Sequence, residues 1–476
     1  MKRALVGALA AVLAAGCAVG PNYQRPPETA PDHFYSQPTP AEAASLADSP
    51  WWDVFSDPTL QGLVDEALRK GYDPQIAAWR VEEARALAGI ARADFFPQIG
   101  YQGQFERSQA SGFVSPGARP INFHTANVNA SWEIDLWGRV RRLNEAARAR
   151  FLAEENNRRG VLLSLVAAVA QSYFELRELD EEFAVARRNQ TAFEETLDLF
   201  QRRLSAGVAS GLETSRAQAA LAEVAAQVPL IQQRIVAKEN EISLLLGRSP
   251  GPVARGAALA EQPIPPEIPA GLPSALLERR PDLRAAEEQL VAANADVGVA
   301  MASFFPRISL TALLGGISPD VTDLFGPGKV WSIAAGLVGP LFQGGRLANQ
   351  YDASVARWNQ ARLLYEQSVI AAFGEVSSTL VARQKLAESE AHTARQVSAL
   401  QESVRLSNLR YLSGLADYFE VLEAQQQLFP AELALARARL SQLAAFVQLY
   451  KALGGGWNLE NPTWVSPSSA PASNGT

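Results

Sequence analysis

The sequence predicts an α+β membrane protein built from one structural unit that occurs twice in the chain. Three observations lead to this prediction: a secretory signal that ends in the sole cysteine, an internal repeat, and short alternating strands beside very long helices. After the signal, no stretch is apolar over the roughly 18–20 residues that a transmembrane helix needs. If this chain crosses a membrane, we therefore expect it to cross as strands.

Composition excludes several classes of function. A net charge of −7 argues against nucleic acid as a partner. One cysteine, three histidines and two methionines cannot form an intrachain disulfide or a multidentate soft-metal site. The scattered serine, histidine and aspartate residues are not accompanied by a glycine-flanked nucleophile turn. The sequence therefore predicts no cofactor, no metal site and no enzymatic activity.

The first 16 residues have the three parts of a secretory signal. Two basic residues precede an apolar run, Ala4–Ala15, which is too short to span a bilayer. Small residues directly before Cys17 resemble the lipobox of bacterial lipoproteins, in which the cysteine is lipid-modified and becomes the first mature residue. By the sorting rule for such lipoproteins, Ala18 permits transfer to the outer membrane. The alternative is an ordinary signal, at 1–16, with an incidental cysteine.

The rest of the chain contains two tandem copies of one unit. Asp73 and Phe95–Pro97 have counterparts at one constant spacing, in Asp282 and Phe304–Pro306. Between the copies lies a connector rich in proline, glycine and alanine. The predicted segments are a lipidated N-terminal segment at 17–58, a first repeat at 59–246, a connector at 247–272, a second repeat at 273–453 and a C-terminal segment with a flexible tail at 454–476.

Each repeat predicts a helix, two strands, a very long helix, a tight turn and a second long helix. The very long helices are expected at about 139–206 and 345–412, because neither stretch contains a proline that would break it. A helix of that length reaches about 100 Å. The returning helices are expected at about 211–246 and 417–453. Phe193, Leu197, Phe200 and Leu204 have the a/d spacing of a helix-packing seam.

The strands are predicted at about 98–108, 123–136, 306–316 and 330–341. Apolar and polar residues alternate clearly in the first pair and less regularly in the second. A soluble sheet and a membrane barrel wall both show this alternation, and the lipoprotein signal favours the wall. Four strands cannot close a barrel, so oligomerisation is expected. Two copies give eight strands around a filled interior, and three give twelve with room for a passage.

Seven motifs extend over nearly the whole mature chain: Cys17–Tyr23, Trp51-Trp52, Phe95–Pro97, Glu133–Arg139, Arg279–Asp282, Phe304–Pro306 and Leu449–Trp457. Together they resemble the TolC-like outer-membrane efflux protein family, in particular its lipoprotein (NodT-type) branch that serves multidrug pumps. The resemblance implies a homotrimer with a 12-stranded outer-membrane β-barrel, four strands per chain, continuous with a long periplasmic α-helical barrel. It also implies an equatorial belt formed by the connector and the chain ends.

The resemblance further implies a function. The chain would give drugs or other small toxic compounds passive exit from a periplasm-spanning pump, as part of a tripartite efflux system. Its partners would be outer-membrane lipid, a periplasmic adaptor (membrane fusion) protein and an inner-membrane transporter of the resistance-nodulation-division type. Two alternatives are an exit duct for type I-like protein secretion and a lipid-anchored periplasmic coiled-coil structural protein. The lipobox favours drug-type efflux over protein secretion.

By position, the resemblance also places a periplasmic gate where the paired helices turn. Glu420 and Glu423 correspond to acidic residues that ring the closed aperture, and Phe419 corresponds to a hydrophobic constriction. Because the two acids are three residues apart, they share one helix face. Three chains would then concentrate carboxylates at a narrow mouth, which favours cations.

Two further residues belong to the implied gate network. Tyr411 and Glu213 match a tyrosine and an acid that bond neighbouring helices in the closed state. Ala416 stands where some relatives have an arginine latch. The second repeat therefore carries the acidic gate, whereas the first has Arg216 at the position that corresponds to Glu423.

Overall fold

The computed structural model describes residues 18–27, 30–35, 45–111, 113–114, 117–208, 210–263, 270–271 and 273–455. The predicted signal at 1–16, the predicted lipidation site Cys17 and most of the predicted tail, 456–476, lie outside the described residues. Within the described ranges, none of the helices combines the length and the apolar character needed to cross a bilayer.

The elements follow one another in the predicted order. The helices are α1 (Trp51–Val54), α2 (Pro58–Lys70), α3 (Tyr72–Ala93), α4 (Arg139–Ser205), α5 (Gly211–Leu245), α6 (Leu276–Arg279), α7 (Pro281–Ala302), α8 (Arg346–Leu412) and α9 (Tyr418–Ala452). The strands are β1 (Gln98–Ser108), β2 (Ile121–Ile134), β3 (Arg307–Ser318) and β4 (Lys329–Val338).

The duplication extends to the lengths of the elements. The helices before the strands, α3 and α7, each have 22 residues. The very long helices α4 and α8 each have 67 residues, and the returning helices α5 and α9 each have 35. Equal lengths in both halves mean that the two copies use the same helical scaffold.

The chain divides into two compact units. One contains the strands, and its described residues lie within Met1–Glu28, Trp79–Asn156 and Ala285–Gln367. The other is helical, and its described residues lie within Thr29–Ala78, Asn157–Arg284 and Ser368–Thr476. The turns between the paired long helices lie in the helical unit.

The strand-containing unit holds one antiparallel sheet in the order β1-β2-β3-β4. Residues that lie opposite one another share a face. Tyr101 lies opposite Val128, Val128 opposite Leu314, and Leu314 opposite Trp331. The same register aligns an apolar face made of Ile99, Tyr101, Phe105, Val128, Ala130, Trp132, Leu310, Ala312, Leu314, Trp331, Ile333, Ala335 and Leu337. The second strand pair, which looks irregular in the sequence, therefore contributes to the same apolar face as the first.

Two strands end earlier than the sequence predicts. β2 stops at Ile134 because Asp135 serves as a cap for α4, its carboxylate accepting hydrogen bonds from the amides of Val140 (3.1 Å) and Arg141 (2.9 Å). β4 stops at Val338, before a Gly-Pro pair that cannot continue the ladder. The Glu133–Arg139 motif is thus the junction from strand to helix.

The segment that follows the predicted lipidation site packs against α4 and α7. The guanidinium of Arg142 donates to the side-chain oxygen of Asn22 at 2.7 Å and to the carbonyl of Gly20 at 3.3 Å. Gly20 has a φ of +94°, and a Cβ there would lie 2.6 Å from the Cα of Gly298. Only glycine fits this conformation and this close approach.

The helical unit is tied together at Asp57. Its buried carboxylate accepts hydrogen bonds from the Tyr173 hydroxyl (2.7 Å), the Gln262 amide group (2.8 Å), and the backbone amides of Ala257 (3.1 Å) and Thr59 (2.8 Å). Burial alone would raise the pKa of Asp57, but the hydrogen bonds from Gln262 and Tyr173 outweigh it and hold the pKa below its ordinary value. The ionised group therefore joins α2, α4 and the connector.

Candidate functional site

Each pair of long helices is joined by a short turn that depends on glycine. Gly207 and Gly414 have φ values of +71° and +70°, which glycine adopts without a Cβ penalty. In both turns the amide of the next residue donates back into the last helical turn, at 2.9 Å. The two copies therefore end their very long helices in the same way.

The returning helices begin with different caps. The amide of Ser210 donates to the Glu213 carboxylate at 2.6 Å, and the amide of Glu213 donates to the Ser210 hydroxyl at 3.4 Å. This is a capping box, which stabilises the start of α5. At the start of α9, the Asp417 carboxylate accepts from the amide of Phe419 at 3.4 Å. The carboxylate of Glu213, predicted to belong to the gate network, therefore serves in this chain as a helix cap.

A hydrophobic cluster packs the two helix pairs together beneath these turns. Its buried members are Phe193, Phe200, Ala217, Ala220, Val224, Tyr418, Val421 and Leu422. The hydroxyl of Tyr418 lies 2.7 Å from that of Thr196, and its ring meets that of Phe200 edge-on at 4.7 Å. Burial raises the pKa of Tyr418 more than the contact with Thr196 lowers it, so the phenol stays neutral.

Tyr411 links the first helix pair to the second. The guanidinium of Arg203 donates to the Tyr411 hydroxyl, and its central carbon lies 5.6 Å from the centre of the Tyr411 ring. The ring also packs edge-on against Tyr418 at 5.0 Å. Within the described residues, no hydrogen bond joins Tyr411 to Glu213, so the structure does not bring these two predicted network residues together in one chain.

The three predicted gate residues lie at the start of α9, where they are exposed. The Phe419 side chain is 49% exposed, and the central guanidinium carbon of Arg216 lies 5.1 Å from the centre of its ring. The Glu420 carboxylate is 3.2 Å from the guanidinium of Arg410. The Glu423 carboxylate accepts from the amide group of Gln427 at 3.5 Å. We call Phe419, Glu420 and Glu423 the candidate gate.

Two arginines at the turns, Arg203 and Arg410, were not predicted as site residues. The two are equivalent, because the matching helix ends Ser205 and Leu412 align Arg203 with Arg410. A basic residue at the same place in both copies was a signal that the sequence offered. Arg203 contacts Tyr411 of the second copy, whereas Arg410 pairs with Glu420 of its own copy.

Comparison with known proteins identifies the class. The model of the outer membrane efflux protein family matches residues 63–248 and 272–455. The chain therefore belongs to the outer membrane efflux protein family, a family of ducts rather than enzymes, and is an efflux channel component of the outer membrane.

Individual relatives cover nearly the whole chain. The toluene efflux pump outer membrane protein TtgC of Pseudomonas putida is 37% identical over 467 residues, which cover 96% of each chain. The probable outer membrane lipoprotein SilC of Salmonella typhimurium is 31% identical over 453 residues, 93% of this chain and 96% of its own. The crystal structure of the open state of the Neisseria gonorrhoeae outer membrane channel MtrE is 31% identical, with a TM-score of 0.84 over 92% of this chain and 98% of its own.

Proposed function

We propose that three copies of this chain form a passive outer-membrane exit duct for drugs or other small toxic compounds. The observation that carries the proposal is the open four-stranded sheet. Its apolar face is exposed, with Tyr101 at 90%, Trp331 at 71% and Ile333 at 77% exposure. Such a face suits contact with lipid, whereas the opposite face, with Gln102, Asn129 and similar residues, suits a wet lumen.

The edges of the sheet require partner chains. Among the residues that the structure describes, β1 and β4 each pair with only one strand. Unpaired backbone groups are not tolerated in hydrocarbon, so each edge strand must pair with a strand of another copy. Because β1 and β4 run in opposite directions, β4 of one copy can pair antiparallel with β1 of the next. Three copies give twelve strands and leave room for a passage.

The anchor of each copy would be a lipid on Cys17. Residues 18–27 are bound to the strand-containing unit through Arg142, whose guanidinium donates to Gly20 and Asn22. This attachment would hold the acyl chains next to the strands that enter the membrane. A lipoprotein among the relatives, SilC, supports the same assignment.

The energy for export would come from partners. We propose a periplasmic adaptor protein and an inner-membrane transporter of the resistance-nodulation-division type. Leu412 and Leu415 next to the second turn are 80% and 72% exposed, and Leu212 next to the first is 60% exposed. Exposed leucines gathered at the ends of the long helices suit contact with another protein.

The candidate gate would control the passage. Phe419 would narrow it, and Glu420 and Glu423 would line it with carboxylates, while Tyr411 holds the closed arrangement through Arg203. Replacing both Glu420 and Glu423 with alanine should lower cation selectivity and divalent block. If selectivity and divalent block were unchanged, these two residues would have no role in the gate.

The duct itself is tested on the detergent-extracted protein. Migration as a trimer that heat converts to the monomer should accompany ion conductance in a planar bilayer. A trimeric sample without conductance would refute the duct. A matched Cys17→Ser variant should keep its conductance after reconstitution but lose metabolic labelling with palmitate, which separates the anchor from the channel.

A further inference from the structure

Arg216 brings a positive charge to the candidate gate. It lies on the exposed surface of α5, and its guanidinium lies over the ring of Phe419 at 5.1 Å. A guanidinium over an aromatic face is held by cation–π attraction. Phe419 directly precedes Glu420, so the charge lies beside the acidic residues of the gate.

In the repeat, Arg216 and its counterpart Glu423 carry charges of opposite sign. The caps Ser210 and Asp417 begin equivalent helices, which aligns Glu213 with Glu420 and Arg216 with Glu423. The first acid is thus kept in both copies, and the second is kept only in the second copy. A position that is acidic in the second copy is basic in the first.

The charges of the gate are not equally compensated. Glu420 is paired with Arg410 at 3.2 Å. Among the described residues, neither Arg216 nor Glu423 forms an ion pair within the chain. Each chain therefore contributes one cation and one carboxylate whose fields are not cancelled by a partner.

We propose that Arg216 is a selectivity-determining residue of the gate, which offsets the Glu423 carboxylate and holds the Phe419 ring. Three copies would alternate guanidinium and carboxylate groups around the mouth, so that it admits anionic as well as cationic solutes. This inference rests on the proposed duct. It changes what is expected of the carboxylates at the mouth, because the arginines offset them and leave the wild-type mouth only weakly cation-selective.

The test measures the reversal potential of the reconstituted channel in a salt gradient. Arg216→Gln should raise the ratio of cation to anion permeability at least about twofold, because a unit charge across roughly 5–8 Å of water changes the local concentration of each ion about two- to fourfold, in opposite directions for cations and anions. Arg216→Lys keeps the charge and should keep the ratio. Glu423→Gln should lower the ratio, and the double variant should return it toward the wild-type value. Lys385→Met is the control, since it removes an exposed cation paired with Glu388 about 38 Å along α8 from Arg410.

The outcomes separate the two proposals. A wild-type trimer that does not conduct refutes the duct and this inference with it. A conducting Arg216→Gln channel with an unchanged ratio refutes the role of Arg216 and leaves the duct intact. The same change in Lys385→Met as in Arg216→Gln would also refute it, because the effect would then follow net charge alone. Because Arg216 is exposed, its replacement should leave the trimer folded; if it does not, the Glu423→Gln ratio decides, and an unchanged value there refutes the inference.

Discussion

A buried pair of acids in the helical unit leads to a specific pH dependence of stability. Glu178 and Glu182 lie one turn apart on α4, with side chains that are 7% and 0% exposed. Both available guanidinium groups bind Glu182: Arg234 at 2.7 Å and Arg437 at 2.7 Å. Glu178 is left with Arg437 at 4.0 Å. It is therefore a buried carboxyl beside a carboxylate, with weak compensation.

The environment of Glu178 favours its protonated form. Burial raises its pKa most, the charge of Glu182 raises it further, and Arg437 and Arg234 only partly lower it, so the pKa reaches about 8. In the unfolded chain a glutamate loses its proton near its ordinary value of 4.5. Between these two values the folded chain holds one extra proton, so stability falls as pH rises through this window.

The size of the effect follows from the shift. Each pKa unit corresponds to about 1.36 kcal/mol, which gives an upper limit of about 4–5 kcal/mol per chain. The side chain of Arg437 is 59% exposed, so water reaches the pair and screens it. We therefore expect about 2 kcal/mol. Glu178→Gln keeps the shape of the side chain and removes its charge. This variant should be about 2 kcal/mol more stable than the wild type at about pH 9, and its stability should differ little from that of the wild type near pH 5.

The assay is the loss of helical circular dichroism on heating the detergent-solubilised protein at several pH values. The melting temperature of the wild type should decrease as the pH rises from about 5 to about 9. The melting temperature of Glu178→Gln should stay constant over this range and be roughly 2–4 °C higher than that of the wild type at about pH 9. Glu182→Gln should lower the transition throughout, because it leaves two guanidinium groups without their partner. If Glu178→Gln were less stable than wild type at pH 9, Glu178 would be an ionised partner of Arg437, and the reasoning would be wrong.

Three further predictions follow from other parts of the chain. Asp57→Ala removes a helix cap and leaves buried donors unpaired, so it should destabilise the fold by about 3–5 kcal/mol, measured by guanidinium denaturation. Ile333→Arg puts a charge on the apolar face and should cost about 2–4 kcal/mol, whereas Ser332→Arg on the other face should cost less than about 1 kcal/mol, measured as the yield and melting of folded protein. Tyr411→Arg should lose about 0.5–1 kcal/mol, and adding Arg203→Tyr should restore it in a double-mutant cycle of melting temperatures.

Much of the fold could be predicted because its signals are local. The very long helices were expected at about 139–206 and 345–412, and they lie at Arg139–Ser205 and Arg346–Leu412. Absence of proline and a glycine at each end define such helices without any tertiary information. Strand ends were less accurate. Asp135 could be read as part of an alternating strand, and only the folded chain shows that it caps a helix.

The contacts of the candidate gate could be predicted only in part from the sequence. The resemblance proposes Phe419, Glu420 and Glu423 as gate residues, and the structure describes their surroundings at the start of α9. The resemblance gave no account of Arg203, whose partner Tyr411 is 208 residues away in the chain. The same limit applies to Glu178, because its pKa depends on which carboxylate Arg234 and Arg437 reach. Contacts between distant segments leave no periodic pattern.

The two copies use one pair of equivalent arginines in different ways. The matching helix ends Ser205 and Leu412 align Arg203 with Arg410. Arg203 contacts Tyr411 of the other copy, whereas Arg410 pairs with Glu420 of its own copy. The residue equivalent to Tyr411 is Leu204, which has neither a hydroxyl group nor an aromatic ring, so the first copy offers Arg410 no matching contact. A cation that is kept in both copies therefore has unequal partners, and this difference between the copies lies at the turns, beside the candidate gate.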